Sequence, residues 1–291
     1  MMSQALQYLF SGLTSGAIYA LAAVGFSVIY NASGVINFAQ GEFIMLGGVS
    51  ASLLTAAGMP LFLAIPLAVL CTALVGFLLE KAAIEPARDA GTVSLIIVTI
   101  GASIFLQGAA QVVFGKGQRS VPSFSGEQPI AVAGATILPQ SLWMIGTAGL
   151  LVLGLVWFFV GTNLGKALLA TSHNRLAAQL VGIDVRRVLS TSFVLSAALG
   201  AVAGAVAAPI TLTSHDVGIM IGLKGFVAAT LGSLGSATGA VVGGLILGLT
   251  EALCAGYVSS AYKDAVPFIV VLLVFFFLPR GLFGGRVTER V

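Results

Sequence analysis

Two stretches of this sequence place polar side chains where the surrounding composition makes them costly. The first is Gly34-Val35-Ile36-Asn37-Phe38-Ala39-Gln40-Gly41-Glu42-Phe43, set between two apolar runs. Asn37 and Gln40 offer amides there, and Glu42 a carboxylate. An ionisable group at the head of a membrane-length segment is a functional candidate, because an unpaired charge in lipid is expensive. The same spacing also suits a plain turn, with Asn37 capping the next helix and Glu42 complementing its dipole. The second stretch runs from Ser172 to Gly182, within a polar loop over 162–187. Ser172 or Asn174 can cap a short helix there, and Gly182 can end it. Leu176 and Leu180, four apart, share one face, with Ala177 beside them. A helix this short is stable only against something else. That support is either the chain's own membrane end or a soluble partner.

Other chemistries lack their residues. No G-x-x-x-x-G-K-[ST] occurs; the nearest stretch, Gly161 to Ala167, is one residue short and has no hydroxyl after Lys166. The chain therefore has no P-loop for ATP. His173 and His215 are far apart and form no metal cluster. No Ser/His/Asp or paired-carboxylate arrangement stands out, so no enzyme and no cofactor is expected. Basic residues are dispersed between apolar spans, which argues against a nucleic-acid partner.

The elements that must position these residues are read from composition. Hydrophobic residues make up 58% of the chain and charged ones 8%, where a soluble domain carries about 25% charged. With mean hydropathy +1.08, lipid must be the solvent over most of the surface. Apolar runs near 6–29, 37–57, 60–80, 92–114, 143–161, 188–208 and 264–280 each approach the roughly 20 residues a crossing needs. The region 222–251 would measure about 45 Å as one helix, too long for one crossing. Gly232, Ser233, Gly235, Ser236 and Gly239 break it, so a hairpin of two arms is expected. The fold class is thus all-α: one polytopic transmembrane bundle over 1–291, with about 8–9 membrane segments including this broken or re-entrant pair.

Charge placement orients the bundle. With the N-terminus outside, Lys81, Arg88, Lys166, Arg175, Arg186 and Arg187 fall inside. A double crossing in 222–251 brings Arg280, Arg286 and Arg290 to the same side, as cytoplasmic loops prefer. The segment 115–142, with Pro122, Pro129 and Pro139, is then external, and is either functional or structured in itself. Cys71 and Cys254 lie in apolar runs and read as buried small hydrophobes. The pairs Gly200/Gly204, Gly239/Gly243 and Gly244/Gly248 predict close helix packing. The first apolar run begins near Leu6 with no basic residue before it, so no cleavable signal is expected.

The stretch GVINFAQGEFIMLGG, Gly34 to Gly48, resembles the signature of permeases of branched-chain amino acid ABC importers, specifically the H-type subunit. Gly16 to Leu21, Gly25-Phe26, Gly165, Ala177, Ala178, Gly182, Ile183, Gly235-Ser236, Gly239, Gly243, Gly244, Glu251 and Pro279 to Gly284 are similar to the same pattern, over essentially the whole chain. Lys166 and Ala170 depart from it, and Ser233 stands where Gly is usual. The resemblance implies a multi-pass protein of the prokaryotic plasma (inner) membrane, with a fold similar to the vitamin B12-type importer permease. It implies a second related permease subunit, two cytoplasmic ATPase subunits and a periplasmic or lipid-anchored substrate-binding protein. The substrate would be leucine, isoleucine or valine, with urea or short amides carried by related permeases. Asn37, Gln40 and Glu42 would belong to the substrate pathway. Asn174, Leu176, Ala177, Leu180 and Gly182 would form the ATPase coupling helix. An ion-coupled secondary transporter is the rival class, with Glu42 and Glu251 as its available acids. A passive channel would need a filter pattern that the sequence lacks.

Overall fold

A computed structural model describes residues 2–88, 90–278 and 281–283. The apolar runs form helices, because a backbone in lipid must satisfy its own hydrogen bonds. In chain order these are α1 (Met2–Ser33), α2 (Gln40–Ala56), α3 (Leu61–Leu79), the short α4 (Glu85–Ala87), α5 (Thr92–Phe114), α6 (Pro139–Gly161), α7 (Asn163–His173), α8 (Arg175–Leu180), α9 (Val185–Thr211), α10 (Val217–Gly232), α11 (Ala237–Tyr257) and α12 (Val266–Phe277). A π-helical turn, Glu80–Ile84, joins α3 to α4. Among the described residues, six stretches are long and apolar enough to cross a membrane: α1, α3 through α4, α5, α6, α9 and α11. The apolar helices α10 and α12 are shorter.

The core is built from α1, α2, α9, α10 and α11. α1 is buried along most of its length from Gly12 to Ala32. α3, α5, α6 and α12 stand around it and turn Leu70, Ile104, Leu153 and Phe276 outward. The expectation for Cys71 fails here. Its thiol is on the outward face of α3, and Cys254 is only half-buried. In lipid an apolar surface residue costs nothing, so an apolar run does not tell the inside of a bundle from its outside.

The glycine pairs pack as expected. A methyl group at Gly204 would fall 1.9 Å from the Ile44 carbonyl oxygen. One at Gly243 would fall 2.1 Å from the Ala228 oxygen, and one at Gly248 2.3 Å from the Gly16 nitrogen. α9 therefore lies directly on α2, α10 on α11, and α11 on α1.

The region 222–251 is a hairpin, with its turn between Gly232 and Ala237. Ser236 caps α11, its hydroxyl accepting from Gly239 N–H at 3.0 Å. The Asn31 side-chain amide donates to the Gly235 carbonyl at 2.8 Å, which ties the turn to the end of α1. At the other end Tyr257 meets Tyr8 edge-on at 5.1 Å. α11 thus runs antiparallel to α1 over its length. Ser233 is held at φ 86°, a backbone region that costs a non-glycine residue about 1–3 kcal/mol. Ser233→Gly is expected to raise stability by about 1 kcal/mol. Thermal unfolding of the purified protein checks this, and a lower melting temperature would count against it.

The boundaries differ from the apolar runs. α6 begins at Pro139 instead of 143, and α9 covers 185–211 instead of 188–208. Proline at the first helical position needs no N–H there, so α6 starts earlier than its hydrophobicity does. The final run, expected over 264–280, is helical over Val266–Phe277, and Pro279 and Arg280 lie outside the described residues, as do Arg286 and Arg290. The segment after α5 carries structure of its own: β1 (Ile130–Val132) pairs antiparallel with β2 (Ala135–Ile137) across Ala133-Gly134. Both turn residues have positive φ, 50° and 82°, as a two-residue hairpin requires. The Gln7 side-chain oxygen accepts from Thr136 N–H at 2.9 Å and binds this hairpin to α1.

Candidate functional site

The polar stretch after α1 folds back into the bundle. Gly34, at φ 72°, turns the chain out of α1. Residues 34–39 then run back along α1 without forming a helix. Gln40, the first residue of α2, lies against Gly25, where a methyl group would meet its Nε2 at 2.1 Å. Gly25 precedes the end of α1 by about 12 Å at helical rise, so α2 starts well inside the bundle. α10 starts there too. Residues 212–216 leave α9 and turn back, with Thr213 paired to Arg119 through both backbone bonds at 2.8 Å. A methyl group at Gly41 would fall 2.0 Å from the Gly218 carbonyl oxygen, so the first turns of α2 and α10 touch. Two irregular segments and two helix N-termini therefore converge inside the protein. Irregular backbone at membrane depth is tolerated only where protein or a cavity satisfies it.

Asn37, Gln40 and Glu42 are all buried at this junction. Asn37 does not cap α2, whose N-cap is Ala39. Its Oδ1 instead accepts from Ala39 N–H at 3.1 Å, because the chain must bend once more before the helix begins. Its Nδ2 has no partner. Gln40 bridges to α9, its Nε2 donating to the Ser196 carbonyl at 3.3 Å while its Oε1 accepts from the Ser196 hydroxyl at 2.5 Å. Glu42 is in the first turn of α2, as dipole complementation requires. Its Oε1 accepts from the Ser103 hydroxyl at 2.9 Å, and its Oε2 has no partner. Thr99, one turn before Ser103, accepts from Phe38 N–H at 3.2 Å. Thr99, Ser103, Gln107 and Gln111 recur every four residues along α5. That period was the signal for a polar face on α5, and reading α5 only as an apolar span missed it.

The loop after α6 forms two helices. The Thr162 hydroxyl accepts from Gly165 N–H and caps α7. Ser172 lies inside α7, and Asn174 caps α8, its Oδ1 accepting from Ala177 N–H at 3.0 Å. Gly182, at φ 87°, ends α8. Gly182 N–H donates to the Gln179 carbonyl and Ile183 N–H to the Ala178 carbonyl, both at 3.0 Å, the paired bonds of a Schellman end. Asp184 then caps α9 through Arg186 N–H at 3.0 Å. Ala178 is buried and anchors α8, while Ala177 faces out. Leu176 and Leu180 are 68% and 81% exposed, so the apolar stripe does not pack on its own chain. The adjoining side of α8, with Arg175 and Gln179, borders a cleft of about 680 Å³ that also takes in Glu80, Glu85 and Arg186. Lys81 donates to Glu85 at 2.8 Å.

A further cluster joins residues the sequence left apart. Lys224 of α10 donates to Glu251 of α11 at 2.8 Å, to Asp264 at 2.7 Å and to the Tyr19 hydroxyl at 3.2 Å. Tyr19 in turn donates to Glu251 at 2.8 Å. The Lys224 hydrogen bond holds Asp264 below its usual carboxyl range. A lysine inside an apolar span was the signal here, since such a residue implies a partner. Which acid it finds is a matter of the fold.

The same arrangement of helices occurs in PsaBC from Streptococcus pneumoniae in complex with Fab, which aligns with a TM-score of 0.53 over 97% of this chain and 98% of that one, at 17% identity. In sequence the chain is 34% identical to the high-affinity branched-chain amino acid transport system permease protein LivH of Escherichia coli (strain K12), covering 98% of this chain and 97% of that protein. It is 33% identical to the corresponding permease BraD of Pseudomonas aeruginosa, over 98% of both. The ribose import permease RbsC of Haemophilus influenzae is 25% identical over 90% of this chain and 81% of its own length. Residues 8–275 match the family described as branched-chain amino acid transport system / permease component. A match across almost every helix just described, the α2–α10 junction and α8 included, leaves one assignment: this chain is a member of the branched-chain amino acid transport permease family.

Proposed function

We propose that the chain is the membrane permease subunit of an ATP-driven importer for leucine, isoleucine and valine, and forms half of its pathway. It resides in a prokaryotic plasma membrane beside a second related permease. Two cytoplasmic ATPases drive it, and a binding protein delivers substrate outside. The observation that carries the ATP-driven part is α8. It is a helix capped at both ends whose leucines project away from the chain, on a loop rich in Arg and Lys. With no P-loop of its own, the chain must receive work through contact. Asn174 and Gly182 fix the ends of the coupling helix, and Leu176, Ala177 and Leu180 supply its contact face. Asn37, Gln40 and Glu42 stand at the α2–α10 junction and border the pathway. Labelled leucine uptake in a deletion strain carrying this gene tests the reading. Uptake should stop when ATP is depleted and persist when only the proton gradient is collapsed. Loss on collapse of the gradient alone would favour an ion-coupled carrier.

In this reading nine helices, α1, α2, α3, α5, α6, α9, α10, α11 and α12, enter the membrane in a vitamin B12-type arrangement. The N-terminus is outside, and 162–187 and the α10–α11 turn are inside. In a background without Cys71 and Cys254, Ala133→Cys should react with an impermeant thiol reagent on intact cells, and Thr238→Cys should not. Labelling of Thr238→Cys would put the α10–α11 turn outside and overturn this topology.

A further inference from the structure

We propose that the meeting of the first turns of α2 and α10 is a closed subsite for a zwitterionic amino acid, with Glu42 receiving its ammonium group and the first-turn amides of α10 its carboxylate. The proposal rests on the permease reading and names the chemistry of that junction. Glu42 is fully buried, and only one of its two oxygens is used. The unused Oε2 points at α10: a methyl group at Gly218 would lie 2.8 Å from it. Gly41, Gly218 and Gly222 bring the two backbones into contact without side chains between them.

α10 has 16 residues, and its N-cap, Asp216, makes no side-chain bond to its first turn. The Asp216 carboxylate instead takes the Ser214 hydroxyl at 2.5 Å. First-turn amides of a helix lack partners within it and carry its partial positive charge, which suits a carboxylate. Val217 N–H already donates to the Ser214 carbonyl at 3.4 Å; a carboxylate with a spare oxygen beside this helix N-terminus is the complement of a molecule bearing an ammonium and a carboxylate on one carbon. Val217, packed among Met45, Leu46 and Val49, supplies an apolar flank for an aliphatic side chain. Urea and short amides carry neither charge and would make only the weaker bonds of a neutral ligand to both groups.

The site is shut by α5. That helix buries only Leu95, Thr99 and Ala110 against the rest of the chain. Thr99 and Ser103 bond it to Phe38 and Glu42. Moving α5 outward breaks the Ser103 bond and uncovers Glu42, so the residue that binds the ammonium is also the one that holds the door.

The test uses the assembled transporter, with both permeases and both ATPases, in lipid nanodiscs without binding protein. Binding of tritiated leucine is measured directly and in competition. Saturable leucine binding is expected. Valine should compete, while isocaproate (no ammonium), isoamylamine (no carboxylate) and urea should compete at least about tenfold more weakly, since each lacks a charge-assisted bond. Glu42→Gln should weaken leucine binding about tenfold or more, while Glu42→Asp, which keeps the charge, should retain most of it. Ser103→Ala should bind leucine at least as well as the unaltered protein, and faster. Co-purification of the subunits shows that each variant assembles. Equal competition by isocaproate, unchanged affinity in Glu42→Gln, or no saturable binding at all would overturn the subsite. If the unaltered transporter fails to take up leucine in cells, the permease reading itself fails, and the two failures are told apart.

Discussion

Ala177→Asp in α8 is expected to abolish ATP-driven uptake while the chain stays in the membrane at its normal abundance. Ala177 is exposed, so the substitution removes no contact within the chain. It lies in the first turn of α8, three residues after the Asn174 cap. An acid in that position complements the helix dipole and does not weaken the helix. Any loss must then come from the partner. Burying an unpaired charge in a docked contact costs several kcal/mol, on the order of a hundredfold in affinity or more. ATPase subunits should be missing when the permease is purified, and uptake should fall to background. Leu176→Asp should act the same way. If both variants retain the ATPases and transport normally, α8 is not the coupling element.

Lys224→Met is expected to produce the largest loss of stability. Lys224 is almost fully buried between Glu251 and Asp264, with Tyr19 as a third partner. Methionine fills much the same volume but strands the buried Glu251 carboxylate beside the half-exposed one of Asp264. Removing one member of a buried ion pair costs about 3–5 kcal/mol, mostly through the charge left behind. Low abundance and a lower melting temperature should follow. The triple variant Lys224→Met, Glu251→Gln, Asp264→Asn removes the stranded charges and should recover a large part of the loss. A triple variant no more stable than Lys224→Met would show that packing around the lysine, and not its charge, holds these helices.

Much of this was legible from the sequence, and the failures are of two kinds. Runs of apolar residues locate helices because lipid leaves the backbone no alternative. The α10–α11 turn was visible in its Gly and Ser cluster, and the ends of α8 in Asn174 and Gly182. These are local signals, complete within a few residues. The junction of α2 and α10 is not local. Asn37, Gln40 and Glu42 look like an ordinary surface turn, because nothing nearby says that residues 34–39 run back along α1. Their partners, Ser196 and Ser103, are 156 and 61 residues away. Likewise Lys224 and Tyr19 are separated by 205 residues. Cys71 was misplaced for the opposite reason: its surroundings are apolar on both sides of the helix.

The contact between α1 and α11 also sets an order of events during synthesis. Gly12 and Gly16 are met by Gly248, Leu249 and Leu245, near the far end of the chain. α1 leaves the ribosome long before α11, and its glycine face has no match until α11 emerges. At about 5–20 residues per second, that wait is on the order of ten to fifty seconds. Through that time α1 sits in lipid with its backbone close to the surface, open to other small-residue helices and to membrane quality-control proteases. Truncated or slowly translated chains should therefore be degraded as a class, with their fate decided by whether the α10–α11 hairpin has yet arrived.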